Sequence, residues 1–348
     1  MTRARALALA AVCALLVTGP GRPARAFDWI AKVEIDAEGL SNSDPGIRLA
    51  AVRALAKDTV DLAAPYLVAA LEDPDAGVRI AAGRIVGRAH IRAAVPEITR
   101  WLADPDPAVR RAAAEILGQL GDPKAAPALI RALGDMDPDV RLLAIRALAT
   151  LAAPEAVVPI IGRLGDDKSE VRLVAAQALQ KLGDKRALIP LVGAFEDPSL
   201  EVRVAAISAA GNLGDRRATP ALIRLLDSHV DKVVLAAVSA LGNLQAAAAT
   251  PALIEHFGHS SDELSAQIAY ALGKIGAVPG AGKHGREALA TLCRALADDR
   301  LAPAARAALS LAKSAAVPTL IAHLDGHLAG DPEIAVTLLG KAGDPRAT

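Results

Sequence analysis

Apolar positions along this chain repeat with a period of 31 residues. The apolar residue that opens the longer helical pattern recurs in seven steps of 31, at Ile47, Val78, Val109, Val140, Val171, Val202, Val233 and Leu264. Apolar residues follow it at i+3, i+4 and i+7, as they do on one face of an amphipathic helix. A second, shorter apolar stretch completes each period. The pattern therefore predicts two helices in every repeat.

Turn residues mark where these helices begin and end. Acidic turns carry a proline near the first position of the longer helix, helix A, where its missing N–H costs nothing. Helix A ends at pairs such as Gly121-Asp122, in which glycine suits a left-handed cap and aspartate caps the next helix. The shorter helix B opens near a proline column formed by Pro65, Pro96, Pro127, Pro159, Pro190, Pro220 and Pro251. Since neither helix can bury its apolar face alone, the repeats must stack.

The combined pattern DPxVRxxAxxALGxLGDxxAxPxLIxxL resembles the short HEAT repeat of the phycobilisome-lyase (PBS-lyase) type. It is clear over residues 41–276 and degenerate over 288–348. The resemblance implies an all-α fold, a right-handed α-solenoid of about ten stacked two-helix HEAT-like repeats. It implies little about activity, because the same repeat occurs in scaffolds, lyase subunits, a di-iron hydroxylase and relatives of DNA glycosylases.

Segments outside the regular repeats have their own predicted roles. Residues 1–26 have a basic start, the apolar run 6–17 and a small-x-small site before Phe27, which predicts a cleaved signal peptide. That apolar run is too short to span a membrane, so we expect an exported protein, periplasmic or secreted, with no membrane span. Residues 27–40 match a lone helix B and predict a capping helix. Residues 277–287 form a Gly-rich insertion, and the last repeat is incomplete at 343–348.

Composition narrows the range of partners. Hydrophobic residues make up 53% of the chain but aromatic residues only 2%, as small side chains in close-packed helices require. Formal net charge is zero; without the four arginines of residues 1–26, 35 basic residues face 39 acidic ones. This balance gives no general attraction to nucleic acid or anionic membranes. Without the leader, Cys293 is a lone thiol, so no internal disulfide is expected.

Each candidate catalytic or cofactor-binding motif lacks residues that its chemistry requires. Asp135-Met136-Asp137-Pro138-Asp139 lacks the glycine and the bidentate acid of a calcium loop. The loop at 277–285 has His284 where a phosphate-binding loop needs Ser or Thr. His323 and His327 have the i, i+4 spacing of metal ligands but no evident third ligand. We therefore predict no enzyme activity, no cofactor and no metal; lyase or hydroxylase activity is the alternative.

An arginine column follows the opening apolar residue of helix A. We interpret it as a structural ladder to aspartates in the turns of adjacent repeats, which fixes the geometry between repeats. Its members are Arg79, Arg110, Arg141, Arg172 and Arg203.

The candidate binding residues lie four and five positions beyond the repeat proline, on the face of helix B expected to be concave and exposed. They are Arg100, Trp101, Arg131, Arg163, Arg224 and His256. Arginine and tryptophan are enriched in interface hot spots, whereas Leu102 is assigned to the core with Leu71 and Leu133. We expect a non-enzymatic scaffold that binds a protein or peptide, with an acidic segment as one possibility; nucleic acid becomes an alternative if the chain is not exported.

Overall fold

The computed structural model describes residues 25–327, 332–342 and 344. None of these residues belongs to a β-strand; nearly all lie in α-helices, short 3-10 turns or tight bends. The chain divides into two compact units, Met1–Leu151 and Ala152–Thr348. Each unit is a stack of helix pairs, which confirms the all-α solenoid prediction.

The described part of the N-terminal unit starts with one helix and continues with repeated pairs. Its helices are α1 (Arg25–Glu38), α2 (Pro45–Leu55), α3 (Val60–Ala69), α4 (Ala76–Arg88), α5 (Val95–Trp101), α6 (Pro107–Leu120), α7 (Ala126–Ala132) and α8 (Pro138–Thr150).

The C-terminal unit continues the alternation of short and long helices. Its helices are α9 (Val157–Gly162), α10 (Ser169–Leu182), α11 (Leu188–Gly193), α12 (Leu200–Asn212), α13 (Thr219–Arg224), α14 (Asp231–Asn243), α15 (Thr250–His256), α16 (Asp262–Gly276), α17 (Gly282–Arg294), α18 (Ala302–Ala312), α19 (Val317–Ala322) and α20 (Pro332–Ala342).

Local sequence explains where helix A starts and stops. In α6, Asp106 accepts a hydrogen bond from the backbone N–H of Ala108 at 2.8 Å, and Pro107 occupies the first turn. At the other end Gly121 adopts a left-handed backbone with φ of 65°. Both devices are those that the sequence predicts.

Helices A of successive repeats lie side by side within each unit and form the core. Val78, Val109, Val140, Val171, Val202 and Val233 of the opening apolar column are all buried. Ile47, at the first position of that column, is 46% exposed, and Leu264, at the last, is half-buried. Small residues allow the closest approaches: a Cβ added to Gly211 of α12 would lie 2.7 Å from the Cα of Ala240 in α14.

The structure defines helix B more closely than the sequence does, and it modifies one expectation. Helix B is the shorter helix, as predicted: α5, α7, α9, α11, α13 and α15 have six or seven residues each, preceded by a 3-10 turn. The predicted insertion 277–287 is a loop only as far as residue 281, because α17 begins at Gly282 and places Lys283 and His284 in a helical turn.

Some predictions fall on residues outside the described part. These are the predicted signal peptide, apart from Arg25 and Ala26 at the start of α1, and most of 343–348. Export and cleavage before Phe27 therefore stay predictions.

Among the described residues, Ala302–Gly326 is helical and apolar enough to span a membrane by length and composition alone. The backbone interrupts this stretch at Lys313, where φ is 49°. The flanking helices α18 and α19 pack against α16 and α17 respectively, as repeat helices do.

Candidate binding surface

The arginine column forms the ladder that the sequence predicts. Arg110 Nε and Nη2 donate to the two carboxylate oxygens of Asp135 in the next repeat, at 2.8 and 2.9 Å. Its Nη1 donates to the carbonyl oxygens of Asp104 and Pro105 at 3.0 and 3.1 Å. One guanidinium therefore joins two consecutive turns with four hydrogen bonds. Such bidentate pairs are among the stronger polar contacts in proteins.

An arginine–aspartate ion pair spans 25 residues wherever the next turn provides an aspartate within the same unit. The pairs are Arg48–Asp73, Arg79–Asp104 and Arg110–Asp135 in the N-terminal unit and Arg172–Asp197 in the C-terminal unit. Arg203 donates to the carbonyl of Asp197 at 3.0 Å; the residue 25 positions after it is Ser228.

The ladder shifts the pKa values of its members. Burial alone would raise the pKa of Asp135, but the hydrogen bonds from Arg110 and from the backbone N–H of Asp137 outweigh it, and the pKa is lowered. The hydrogen bond from Arg172 lowers the pKa of Asp197 in the same way. Such shifts arise from structural ion pairs as well as catalytic ones, and here each carboxylate caps its own turn. The ladder is part of the fold.

A second ladder escaped sequence interpretation. In the C-terminal unit, Asn243 Nδ2 donates to Asn212 Oδ1 at 3.1 Å, and Lys274 Nζ donates to Asn243 Oδ1 at 2.8 Å. These residues are 31 positions apart, so they occupy equivalent places in consecutive repeats. The signal was present as a column of polar residues near the C-terminal end of helix A.

Near the end of helix B, one position is exposed in every regular repeat, and these positions form a row. The row follows the 31-residue period: Ala69, Arg100 and Arg131 in the N-terminal unit, and Gly162, Gly193, Arg224 and Glu255 in the C-terminal unit. The residue after each row member is buried or half-buried. The predicted two-residue stripe is therefore one exposed row with a packed row beside it.

Arg100 and Arg131 belong to the exposed row of the N-terminal unit. The Arg100 side chain is 70% exposed and pairs with Glu97 one turn earlier on α5. Arg131 is exposed near the end of α7. Both are placed where a partner could reach them, as predicted.

Trp101 does not belong to that surface, and this part of the prediction is wrong. It is only 4% exposed. Its indole lies over α4, where a Cβ added to Gly83 would come within 2.9 Å of two ring carbons and 2.8 Å of Ile116. The proposed core residue Leu102 is half-buried instead, although Leu71 and Leu133 are buried as expected.

A sequence signal for this burial existed at Gly83. The equivalent positions 31 residues apart hold Val52, Ala114, Ile145, Ala176, Ile207, Val238 and Ala269, so Gly83 alone in this column lacks a side chain. The missing side chain leaves the space that the indole fills. Trp101 and Gly83 therefore form a large–small pair across two helices.

The remaining predicted residues lie in the C-terminal unit. Arg224 is exposed in the row. Arg163 is half-buried in the packed row, with Nη1 3.5 Å from the carboxylate of Asp166. His256 is also half-buried, and its Nε2 lies 3.4 Å from Asp227 Oδ1. Of these three, Arg224 has the exposure expected of a binding residue.

A further exposed row lies one turn earlier on helix B. It contains Pro65, Pro96 and Pro127 in the N-terminal unit and Val158, Ile189, Pro220 and Pro251 in the C-terminal unit. In α9 and α11 the proline is displaced by one residue, to Pro159 and Pro190. Val158 and Ile189 therefore occupy the exposed position, 57% and 68% accessible.

The metal candidates are dispersed. Within the described residues, His, Cys, Asp and Glu form no group of three placed to hold a metal ion. His323 is buried, with neither ring nitrogen bonded to a described residue. Burial raises the pKa of the Cys293 thiol to about 12, which makes it a poor nucleophile.

The period, the paired helices and the ladder can be compared with known proteins. A family model for HEAT repeats matches three stretches, residues 63–135, 127–200 and 193–273, which together cover more than half of the chain. The chain belongs to the HEAT-repeat family. No curated protein matches it in sequence.

Solved HEAT-like structures share the fold. A Kap121p mutant superposes with a TM-score of 0.61 at 16% identity, over 95% of this chain and 43% of Kap121p. An engineered protein gives a TM-score of 0.55 at 22% identity, over 91% and 96% of the two chains. YibA of Escherichia coli gives 0.51 at 19% identity, over 74% and 98%. At these identities the similarity establishes the fold alone.

Proposed function

We propose that this HEAT-repeat protein is a scaffold that binds another polypeptide along the exposed row of helix B. The proposal rests on a contrast between two columns of residues that both recur every repeat: the arginine ladder of helix A and the exposed row of helix B. The arginine ladder recurs with the period and its hydrogen bonds hold the turns together, whereas the helix-B row recurs with the same period, stays exposed and changes its residue from repeat to repeat. A position that the fold leaves free to vary suits partner recognition.

The charges of the row indicate the chemistry of the partner. Arg100, Arg131 and Arg224 are exposed arginines, a residue type enriched in binding hot spots. Arginine offers a planar set of donors that matches carboxylates. A partner segment with acidic side chains would complement them, as the sequence suggested, although Trp101 no longer contributes as an exposed anchor.

Two further parts of the proposal rest on the sequence. The basic start, apolar run and small-x-small site of residues 1–26 support export before binding. The failure of each catalytic motif supports a role without chemistry of its own. Sequencing the N-terminus of protein recovered outside the cytoplasm should give Phe27; an intact Met1 in the cytosol would remove export from the proposal and favour the nucleic-acid alternative.

Site-specific photocrosslinking tests the binding role. A photoreactive residue placed in the row, at Arg131 of the N-terminal unit or at Arg224 of the C-terminal unit, should crosslink a protein from the source cell. The same residue at Glu115 or Gln177, exposed on helices A, is the matched control and should not. Equal crosslinking from both faces, or none from the row, would refute the proposal. A partner that gains mass on incubation with the pure protein and a donor of the attached group would instead favour the lyase alternative.

A further inference from the structure

The C-terminal unit has an uncharged apolar face where α9 and α11 lie in consecutive repeats. We define the apolar patch as Val158, Ile161 and Gly162 on α9 with Ile189, Val192 and Gly193 on α11. Val158, Gly162, Ile189 and Gly193 are exposed, and Ile161 and Val192 are half-buried. None of the six residues carries a charge, although Arg224 occupies the row position in the next repeat.

The two glycines of the apolar patch have no structural explanation inside the chain. A Cβ added to Gly162 or to Gly193 would meet no atom within 4 Å, and both backbones are ordinarily helical. Glycine is a poor helix residue, so its use in helix B of two consecutive repeats is unfavourable for the isolated fold. Glycine does allow another chain to approach the backbone closely. Beside exposed valine and isoleucine, the two positions form a shallow apolar trough.

Charge at the border of the trough indicates what fills it. Arg224 is exposed, and no ion pair or side-chain hydrogen bond of its guanidinium occurs among the described residues. An occupant that extends from the glycines toward the next repeat would meet this cation. The complementary occupant is therefore apolar over the trough and acidic beyond it.

The repeat spacing defines the sequence pattern of that occupant. Packed helices lie about 8–10 Å apart, and a helix rises about 1.5 Å per residue, so about five to seven residues of a crossing helix span one repeat. Residues separated by about seven positions also share one helix face. We propose that the apolar patch binds an amphipathic helix of a partner protein, with apolar residues at i and i+7 over Gly162 and Gly193 and a carboxylate at i+14 facing Arg224. This inference rests on the proposed function and identifies the partner's chemistry.

The test uses a defined probe peptide and variants that fill the trough. The probe is a labelled, Ala-rich helical peptide of about 20 residues, with two leucines and a glutamate at the three proposed positions. It should bind the full chain saturably. Gly162→Arg/Gly193→Arg introduces the residue type found at Arg100, Arg131 and Arg224, fits the open space and should weaken binding at least about tenfold. The matched control Gly340→Arg, at an exposed helical glycine with open space, should bind like the parent.

Two substitutions separate the apolar and acidic parts of the proposal. Arg224→Glu should weaken the glutamate probe and improve binding of a probe with lysine in its place. A probe with serines in place of the leucines should not bind to any variant. Circular dichroism of each variant should match that of the parent, so that lost binding is not lost folding.

Several outcomes would overturn the inference. The first two are that the probe does not bind, or that the double arginine variant binds it as well as the parent does. The third is that the chain self-associates and the double variant does not. The fourth is that the chain co-sediments with anionic lipid vesicles and the double variant does not. The last two would assign the trough to a second copy or to a membrane. If crosslinking from Arg131 succeeds while the probe fails, this inference is wrong and the proposed function survives. If the probe binds but row crosslinking fails, the proposed function is refuted although the trough binds the probe.

Discussion

At the scale of single residues, the contact between Trp101 and Gly83 shows how one repeat departs from its neighbours. The indole fills space on α4 that other repeats fill from their own helix A. This places the largest side chain of helix B inside the stack while Arg100, one residue earlier, stays in solvent. The exposed row and the packed row of helix B are therefore one residue apart.

Truncation of Trp101 should destabilise the fold. Trp101→Ala removes a buried aromatic side chain and should lower the free energy of unfolding by about 3–5 kcal/mol. Arg100→Ala, the neighbouring control, should change it by no more than about 0.5 kcal/mol. Urea unfolding measures both. Gly83→Ala should cost about 1–3 kcal/mol in the parent through overpacking, but less on the Trp101→Ala background; additive effects in this cycle would refute the contact.

Each arginine of the ladder should contribute measurably to the free energy of unfolding. Arg110→Ala leaves the carboxylate of Asp135 without the two hydrogen bonds from the guanidinium, and hydrogen bonds to charged groups are worth about 1.5–3 kcal/mol. We expect a loss of about 2 kcal/mol in urea unfolding. Arg84→Ala removes the same charge from an exposed position of α4 and should have little effect. Similar losses for the two variants would indicate a general charge effect.

Lowering the pH should reduce the stabilisation that the ladder provides. The pKa values of Asp73, Asp135 and Asp197 are lowered in the folded state. Their stabilisation is therefore fully present above the ordinary carboxyl pKa and is lost as pH falls through the folded-state values. The free energy of unfolding should decline between about pH 5 and pH 2. Arg110→Ala should decline less steeply than Arg84→Ala; equal slopes would exclude Asp135 as a contributor.

At the scale of elements, identical substitutions in two helices should have opposite effects. Gly211→Ala in α12 places a Cβ 2.7 Å from the Cα of Ala240 and should destabilise by about 1–3 kcal/mol. Gly193→Ala in α11 meets nothing within 4 Å and should stabilise by up to about 1 kcal/mol through helix propensity. Thermal unfolding compares the two. Equal effects would mean that close helix approach does not set the spacing of α12 and α14.

Most helices could be predicted from the sequence, because the 31-residue period and the turn residues indicate the same helix boundaries. The opening valines, the aspartate caps and the arginine column each predicted the observed helix A and its ladder. Exposure on helix B was harder to predict. On a helix of only two turns, a shift of one residue moves a side chain from the exposed face to the packed face. Counting from the proline shifted the surface by one residue for Trp101, and the displaced Pro159 and Pro190 concealed that Val158 and Ile189 are exposed.

At the scale of the whole molecule, stacking separates the positions that hold the fold from those that can recognise a partner. Neighbouring repeats supply the core and the ladder. The exposed helix-B row is left to vary, basic at Arg100 and Arg131 and apolar around Gly162 and Gly193. The proposed binding role rests on this division of positions, which no single repeat shows alone.

The most direct test of this account compares two charge reversals of equal size on different faces of the N-terminal unit. Arg100→Glu/Arg131→Glu alters the row, and Arg53→Glu/Arg84→Glu alters exposed arginines of helices A. The measurement is the affinity of each variant for the partner identified by crosslinking, at low and moderate salt. The account predicts at least about tenfold weaker, less salt-sensitive binding for the row variant, and a change within about twofold for the other. Equal losses, or a loss only in the helix-A variant, would contradict the assignment of the binding surface.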